Sequence, residues 1–327
     1  MAVAVSAPYR YARCIGMLGV AGRGYRNPVD LAFDGDITYV LNRANWKSAS
    51  EGISVRVVVS RLPDDAFIGE IGHPGDDPGG FLWPTSIATD RQGRIYVADE
   101  YLQNIQVFNA DGGLLATWGQ PGSAPGQIDR PSGIAIDSQD RMIVVDHLNH
   151  RVQAFTLDGE PLACWGSQGS GPGQFDLPWG VGLDSQDRIY VADWRNDRVQ
   201  QFTPDGQYLA TFGESGPPEA RLRRPAGVGV GTDGTVYVAD WGNDRVQVYG
   251  SDGEYQATLY GEATLSPWAV EHIEANPHVA AQREAADPGY HEQERRLWGP
   301  TAVKLDAAGR IYIADSCRHR IQVYERA

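Results

Sequence analysis

Six side chains of five different kinds occupy one equivalent position in a repeated sequence pattern. Each follows the last residue of a short apolar segment that ends in Asp, or in Asn42 in the first copy. The residues at this position, in chain order, are Arg43, Glu100, His147, Trp194, Trp241 and Ser316. An arginine stabilises negative charge on oxygen, whereas a carboxylate or a histidine moves a proton. The pattern therefore predicts acid–base chemistry on a small molecule that also contacts aromatic side chains.

A second varied position follows a proline that recurs near the start of each repeat. It holds Val29, Thr85, Ser132, Trp179, Ala226 and Thr301. From the two positions and their neighbours, we predict catalytic roles for Arg43, Glu100, Tyr101 and His147. The predicted substrate-binding residues are Trp46, Thr85, Ser132, Trp179, Trp194, Arg195, Trp241, Trp268, Trp298, Thr301 and Ser316. Mostly apolar clefts with a few convergent polar groups are the usual small-molecule sites.

The repeat itself predicts the elements that position these residues. Its clearest copies span 94–108, 142–155, 188–202, 235–249 and 310–324, and a degenerate copy includes Asn42. The Asp that ends the apolar segment recurs every 47 residues from Asp99 to Asp240, and its next copy is Asp315. Each unit contains four short apolar runs separated by turn residues, which is typical of a four-stranded antiparallel blade. The sequence therefore predicts an all-β, six-bladed β-propeller, in which both varied positions converge near the central channel.

The whole chain, 1–327, is predicted to be a single propeller domain. The last repeat stops after its third strand, and the N-terminal segment 13–19 resembles a fourth strand, so we expect the N-terminal strand to close the last blade. Two insertions interrupt the repeats, at 44–54 and at approximately 266–297. The second is rich in helix-forming residues and lies between blades 5 and 6. We interpret it as a lid; an edge cover or a dimer contact stays open.

The repeated motifs P-x-G-(V/I), R-I-Y-V-A-D and N-x-R-(V/I)-Q-x-(F/Y) resemble NHL repeats over essentially the whole chain. Two segments are also similar to peptidyl-hydroxyglycine amidating lyases, namely YVLNRANW (39–46) and ADEYLQN (98–104). This resemblance implies that Arg43 stabilises the substrate's oxygens and that Tyr101 takes the abstracted proton in an elimination. The zinc-binding histidines of those lyases follow the repeat proline, where this chain has Thr85 or other non-histidine residues. No cofactor is therefore predicted, although a divalent metal is not excluded.

Composition narrows the possible partners. The chain has 28 Lys and Arg against 42 Asp and Glu, a net charge of −14, which opposes binding to nucleic acid or to an anionic membrane. It also lacks an apolar run of about 18 residues that would predict a membrane span. Three cysteines are too few for a disulfide framework. We expect a cytoplasmic protein whose partner is a small-molecule substrate; the oligomeric state stays open.

Two functions from different classes fit these residues. The first is a lyase or hydrolase that acts on a small organic substrate with an apolar or aromatic part, in a pocket at the channel mouth. A hydrolase with a serine nucleophile would use Ser132 beside His147, or Ser316 beside Thr301, although no G-x-S-x-G motif is present. The alternative is a non-catalytic NHL scaffold that binds a protein, peptide or small ligand on the same face, with tryptophans as anchors.

Overall fold

Six four-stranded antiparallel sheets form the molecule. The computed structural model describes residues 8–43, 54–62, 64–214, 217–286 and 288–327. Within these ranges the sheets form the six blades of a β-propeller, which confirms the predicted fold class. In each of blades 1–5 the strands follow chain order from the innermost to the outermost.

The strands fall into blades as follows. The N-terminal strand is β1 (Tyr9–Ile15), and blade 1 consists of β2 (Pro28–Asp34), β3 (Ile37–Asn42), β4 (Arg56–Arg61) and β5 (Ala66–Ile71). A small parallel pair, β6 (His73–Pro74) and β7 (Gly80–Phe81), precedes blade 2, which consists of β8 (Pro84–Thr89), β9 (Ile95–Asp99), β10 (Asn104–Phe108) and β11 (Leu114–Trp118). Blade 3 consists of β12 (Pro131–Ile136), β13 (Arg141–Asp146), β14 (Arg151–Thr156) and β15 (Pro161–Trp165).

Blade 4 consists of β16 (Pro178–Leu183), β17 (Ile189–Asp193), β18 (Arg198–Phe202) and β19 (Tyr208–Phe212). Blade 5 consists of β20 (Pro225–Val230), β21 (Val236–Asp240), β22 (Arg245–Tyr249) and β23 (Tyr255–Leu259). Three short helices follow: α1 (Pro267–Glu274), α2 (Pro277–Glu284) and α3 (Pro288–Arg295). Blade 6 consists of β24 (Pro300–Leu305), β25 (Ile311–Asp315) and β26 (Arg320–Arg326), completed by β1.

The apolar core lies between the blades rather than in the channel. Strands such as β9, with the sequence Ile-Tyr-Val-Ala-Asp, are buried at every position because both faces of the sheet pack against a neighbouring blade. Outer strands such as β11 leave most of their side chains partly or fully exposed. The apolar clusters of the described residues join blades 1 and 2, 2 and 3, 3 and 4, 4 and 5, 5 and 6, and 6 and 1. Burial is therefore continuous around the ring.

Small residues bring the innermost strands close together. A Cβ atom added to Gly133 would lie 2.6 Å from the carbonyl oxygen of Trp179 in the next blade, and one added to Gly227 would lie 2.6 Å from that of Thr301. Any larger residue would push these strands apart. The central channel is consequently narrow, with a cavity of about 20 Å³. That volume holds roughly one water molecule, so a larger molecule does not fit inside the channel.

The N-terminal strand closes the ring, as predicted, but it spans Tyr9–Ile15 rather than the predicted segment 13–19. β1 pairs antiparallel with β26, from Tyr9 opposite Arg326 to Ile15 opposite Ile321. Helix α1 packs beside this closure: the Ser266 hydroxyl caps the helix and donates to Gly16 O at 2.5 Å. The helical insertion is thus anchored at its first helix, while its role as a lid stays a prediction. No helix of the described residues is long and apolar enough to cross a membrane.

Candidate active site

Short turns carry most of the varied residues to one end of the channel. In blades 3–6 the residue after the repeated Asp begins a single 3-10 turn, as in His147–Asn149 and Trp194–Asn196. The Asp fixes the turn: Asp146 accepts from Asn149 Nδ2 at 2.9 Å, from Arg151 Nε at 2.7 Å and from the Asp129 backbone at 2.7 Å. These repeated carboxylates are therefore framework, and the residue after each one is free to vary.

The residues after the repeat proline line the channel mouth. All six of them border the small cavity: Val29, Thr85, Ser132, Trp179, Ala226 and Thr301. Their hydroxyl groups donate to backbone carbonyls of the next blade, as Thr85 does to Pro131 O at 2.9 Å and Ser132 to Trp179 O at 2.8 Å. Thr301 likewise donates to Pro28 O at 3.3 Å. These hydroxyls hold adjacent blades together.

Arg43 and Glu100 form an ion pair between blades 1 and 2. Arg43 Nη2 lies 3.1 Å from Glu100 Oε1, and the two side chains are only 16% and 13% exposed. Burial lowers the pKa of Arg43 to about 10, while the Glu100 charge opposes that shift. Burial also raises the pKa of Glu100, and the nearby charges of Arg43 and Arg130 oppose it. The Arg43 guanidinium lies 4.2 Å from the Trp83 ring centroid, a cation–π geometry.

His147 is held as a neutral imidazole. Its Nδ1 lies 3.0 Å from Pro178 O, and since a carbonyl only accepts, Nδ1 carries the proton and Nε2 has a free lone pair. Burial lowers the pKa of His147, and the charges of His150 and Arg130 lower it further. A buried histidine with one nitrogen fixed in this way is equipped to accept a proton at the other nitrogen.

Trp179 connects the histidine to the arginine. The His147 ring meets the Trp179 ring edge to face, with centroids 5.0 Å apart. On the same indole, the Arg43 guanidinium lies 5.9 Å from the ring centroid. A base from blade 3 and a cation from blade 1 therefore share one aromatic residue of blade 4.

A second aromatic group lies on blades 4 and 5. The Trp194 and Trp241 rings have centroids 6.5 Å apart, and the Arg224 guanidinium lies 4.9 Å from the Trp194 ring. Trp241 is 37% exposed, so part of its ring is accessible to a ligand. Arg195 is exposed beside Trp194 in the same turn.

Sequence comparison agrees with the repeats seen in the structure. The family model for the NHL repeat matches residues 175–202, 222–249 and 297–324, and a model described as a 6-bladed beta-propeller matches 86–166. The chain contains NHL repeats. No curated protein matches this NHL propeller closely enough to be called a relative.

Solved structures show the same fold at low sequence identity. A catalytically inactive form of virginiamycin B lyase from Staphylococcus aureus, with quinupristin, is 13% identical, with a TM-score of 0.58 over 96% of this chain and 85% of that chain. A streptogramin B lyase is 11% identical, with a TM-score of 0.58 over 98% of both chains. A protein of unknown function from Bacteroides thetaiotaomicron is 19% identical, with a TM-score of 0.61 over 97% of this chain and 75% of that chain.

Trp268 does not belong to the site of this NHL propeller. The prediction placed it among the substrate-binding residues, but its side chain is 6% exposed and packs 5.9 Å from the Tyr25 ring, in the core between blades 6 and 1. The apolar surface at the ring closure buries the indole. This burial removes Trp268 from the candidate ligand contacts.

Four further predicted residues lie away from the Trp179 cluster or outside the described part. Trp298 is 51% exposed and stacks with Arg318, whose guanidinium lies 5.2 Å from its ring. Ser316 is buried at the start of its turn, and Tyr101 is 63% exposed, far more open than its neighbour Glu100. Trp46 lies outside the described residues, as does most of the 44–54 insertion.

Three residues at the face were not predicted: Trp83, Arg130 and Arg224. Each directly precedes the repeat proline, a position that also varies among the copies as Asn27, Trp83, Arg130, Leu177, Arg224 and Gly299. The other candidate residues were selected because equivalent positions of the repeats differ. The same kind of difference was present at the position just before the repeat proline. Among the described residues, no group of three or more His, Cys, Asp or Glu side chains is arranged to hold a metal ion.

Proposed function

We propose that this NHL propeller is an enzyme that acts on a small organic molecule with an aromatic or apolar part, by elimination at the mouth of the channel. The observation that carries the proposal is the arrangement around Trp179. A neutral histidine and a half-buried arginine lie 5.0 Å and 5.9 Å from one indole ring, so an aromatic substrate group near Trp179 is close to both a base and a cation.

These residues suit the abstraction of a proton next to a carbonyl group. His147 Nε2 takes the proton, the electrons of the C–H bond form a double bond to the neighbouring carbon, and the leaving group departs from that carbon with its bonding electrons. Arg43 stabilises the negative charge that develops on the carbonyl oxygen. The proton on His147 then passes to the leaving group or to water, which restores the base.

The other predicted catalytic residues take supporting places in this scheme. Glu100 is a positioning residue, since its carboxylate binds Arg43 at 3.1 Å. Tyr101 is too exposed, at 63%, to replace the buried His147 as the base.

The hydrogen bonds around Ser132 favour elimination over hydrolysis by a serine nucleophile. Ser132 Oγ lies 3.2 Å from Pro178 O, the same carbonyl that accepts from His147 Nδ1. The hydroxyl is also engaged with Trp179 O at 2.8 Å. His147 therefore does not accept the Ser132 proton. The likeness in fold to virginiamycin B lyase and streptogramin B lyase is in keeping with lyase chemistry on this scaffold.

A direct test is a turnover screen of the purified protein. Aromatic carbonyl compounds with a hydroxyl or acyloxy group on the β carbon are incubated with the enzyme, and the conjugated alkene product is followed by ultraviolet absorbance and mass spectrometry. We expect His147→Gln and Arg43→Gln each to lower kcat at least about a hundredfold, the range of general-base and oxyanion effects.

His73→Gln is the matched control, because His73 is exposed and pairs with Asp77 in the small parallel sheet. It should leave turnover unchanged. Turnover that survives in His147→Gln would remove the proposed base, and the absence of turnover with every compound that binds would favour a non-catalytic role.

A scaffold remains the second candidate because aromatic side chains on this face are open to solvent. Tyr101, Trp241 and Trp298 are 63%, 37% and 51% exposed. Exposed aromatic residues are typical anchors of protein and peptide interfaces. Under this function, alanine substitutions at these three residues would abolish capture of a protein partner, whereas His147→Gln would not affect it.

A further inference from the structure

Two exposed arginines at the face have no salt-bridge partner among the described residues. Arg130 and Arg224 directly precede the repeat prolines of blades 3 and 5, with left-handed φ angles of 55° and 49°. Both are exposed, and within the described part of the chain neither takes part in a salt bridge. By contrast, the positive charge of Arg43 is matched by Glu100 at 3.1 Å.

The net charge of the chain is −14, yet several exposed arginines of the described residues have no salt bridge, among them Arg91, Arg195 and Arg221. The choice among them therefore depends on which arginine lies beside the proposed base. The carboxylate beside Arg224 is already engaged, since Asp197 Oδ1 accepts from the backbone N–H of Arg224 at 2.7 Å. A ligand anion could therefore bind the guanidinium groups without displacing an existing salt bridge.

Arg130 lies closest to the proposed chemistry. Pro131, the next residue, pairs with Asp146 across β12 and β13, which sets Arg130 beside His147 at the same end of these two strands. The positive charge of Arg130 favours the ionised form of Glu100 and the neutral form of His147. Arg224 is farther along the ring, where its guanidinium lies 4.9 Å from Trp194. Of the two arginines, Arg130 is thus the one that can bind a substrate whose reacting carbon is near His147. Arginine binds carboxylates through two parallel hydrogen bonds, which fixes orientation as well as charge.

We propose that the substrate is an aromatic carboxylic acid and that Arg130 binds its carboxylate, while the tryptophans bind the aromatic part. This inference rests on the proposed small-molecule function and names the substrate class for that site. Arg130 is then the residue that selects acids over neutral analogues.

The experiment compares two probes of nearly equal shape, 2-naphthylacetate and 2-naphthylacetamide, by isothermal titration calorimetry. We expect the wild-type protein to bind the acid about tenfold more tightly, since hydrogen bonds to charged groups are worth more than neutral ones. Arg130→Gln should abolish this preference, and Arg130→Lys should keep part of it because the charge remains. Arg91→Gln is the control, since Arg91 is an exposed arginine outside the face, bonded to Ser138 O.

The outcomes separate this inference from the proposed function. Equal binding of acid and amide, both lost in Trp179→Ala, would overturn the carboxylate while leaving the small-molecule site in place. A preference that survives in Arg130→Gln but disappears in Arg224→Gln would overturn the assignment to Arg130. If neither probe binds the wild-type protein, the aromatic carboxylate is overturned as the substrate class, and the turnover screen decides the proposed function separately. Because Arg130 is exposed, its variants should unfold at the wild-type temperature, which calorimetry can check.

Discussion

Arg43 and Glu100 depend on one another for stability as well as for orientation. Burial raises the pKa of Glu100 even with Arg43 beside it, so the folded state disfavours the ionised carboxyl. The folded pKa of this carboxyl is therefore higher than its unfolded pKa. Its contribution to stability is complete at pH values below the unfolded pKa, and it is lost as the pH rises through the folded pKa. Removal of Arg43 should raise the folded pKa further and enlarge that loss.

We therefore predict that Arg43→Gln destabilises the protein by about 2 kcal/mol at pH 8 and much less at pH 5. The value is below that for removal of one partner from a fully buried pair, because some solvent reaches both side chains. Denaturant unfolding at several pH values measures it. The double variant Arg43→Gln with Glu100→Gln should lose this pH dependence; a double variant as pH-sensitive as the single one would show that Glu100 is not its source.

At the level of single residues, divergence among the repeats was the informative signal. It selected Arg43, Glu100 and His147 as candidates because an equivalent position in six similar units has the same backbone environment, so differences there are not explained by folding. It could not show that Trp268 is buried, because the insertion has no repeated counterpart to compare. Nor could it show that Ser132 donates to a carbonyl oxygen, since that contact comes from the next blade.

The residue directly after each repeated 3-10 turn has a left-handed φ angle, and its side chain accepts a hydrogen bond from the next blade. Asp197 and Asp244 accept from the backbone N–H groups of Arg224 and Gly299, both at 2.7 Å. Two histidines accept in the same way through Nδ1, His319 from Asn27 N at 3.0 Å and His150 from Leu177 N at 3.1 Å. A protonated Nδ1 cannot accept a hydrogen bond. Acid should therefore weaken the contact between blades 6 and 1, which depends on His319, but not the contacts made by Asp197 and Asp244.

The pKa of His319 gives the direction of this effect. Burial lowers it, and the charge of Arg26 lowers it further, so the folded state binds fewer protons than the unfolded state. Stability from this contact is complete above the unfolded pKa of about 6.5 and falls as the pH drops below it. We predict that His319→Asp, which copies Asp197 and Asp244, flattens the loss of thermal stability between pH 6.5 and 5. A variant with an unchanged pH profile would mean that acid acts elsewhere.

Helix α1 contributes to the ring closure through Trp268. The indole is buried against Tyr25 and the apolar core between blades 6 and 1. We predict that Trp268→Ala lowers the free energy of unfolding by about 3–5 kcal/mol, the usual result of truncating a buried large aromatic side chain. Trp298→Ala, at a position 51% exposed, should change it by no more than about 0.5 kcal/mol. If Trp268→Ala changed the free energy of unfolding only slightly, the result would favour an insertion that detaches readily from the propeller, as a lid does.

Strand patterns were predictable from the sequence, whereas the path of the insertion was not. Alternating apolar runs between turn residues repeat in every blade, and sheet pairing follows directly from their order. The composition of 266–297 predicted helices, and α1, α2 and α3 are present. Which surface they cover depends on tertiary contacts, such as the bond from Ser266 to Gly16 O, that no local pattern encodes.

The whole molecule is closed by a pairing between its two chain ends. Arg10 and Glu325 are 315 residues apart, yet they are paired in the register of β1 and β26 and joined by a salt bridge at 2.7 Å. The sequence predicted this closure because the last repeat lacks a fourth strand and the N-terminal segment resembles one. The narrow channel was less predictable, since it depends on how closely glycine-containing strands approach across blade boundaries.

A circular permutant tests the closure without loss of any strand. The Ala327 N–H donates to Pro8 O at 2.6 Å. Once residues 1–7 are removed, a two-residue Asn-Gly turn can therefore join Ala327 to Pro8 as a hairpin, with new termini between Gly22 and Arg23. The permutant retains the contacts of β1 and β26, so its thermal midpoint should stay close to that of the original chain. Because the longest-range pairing becomes local, it should refold faster.

Stopped-flow refolding and circular dichroism measure the two properties, with a deletion of residues 1–15 as the comparison. The deletion leaves β26 as an unpaired edge and exposes the apolar surface beside Ile321, so it should fail to fold cooperatively. A permutant that refolds no faster than the original chain would show that ring closure does not limit folding. A stable, cooperative deletion variant would show that five complete blades and the three remaining strands of blade 6 suffice for the fold.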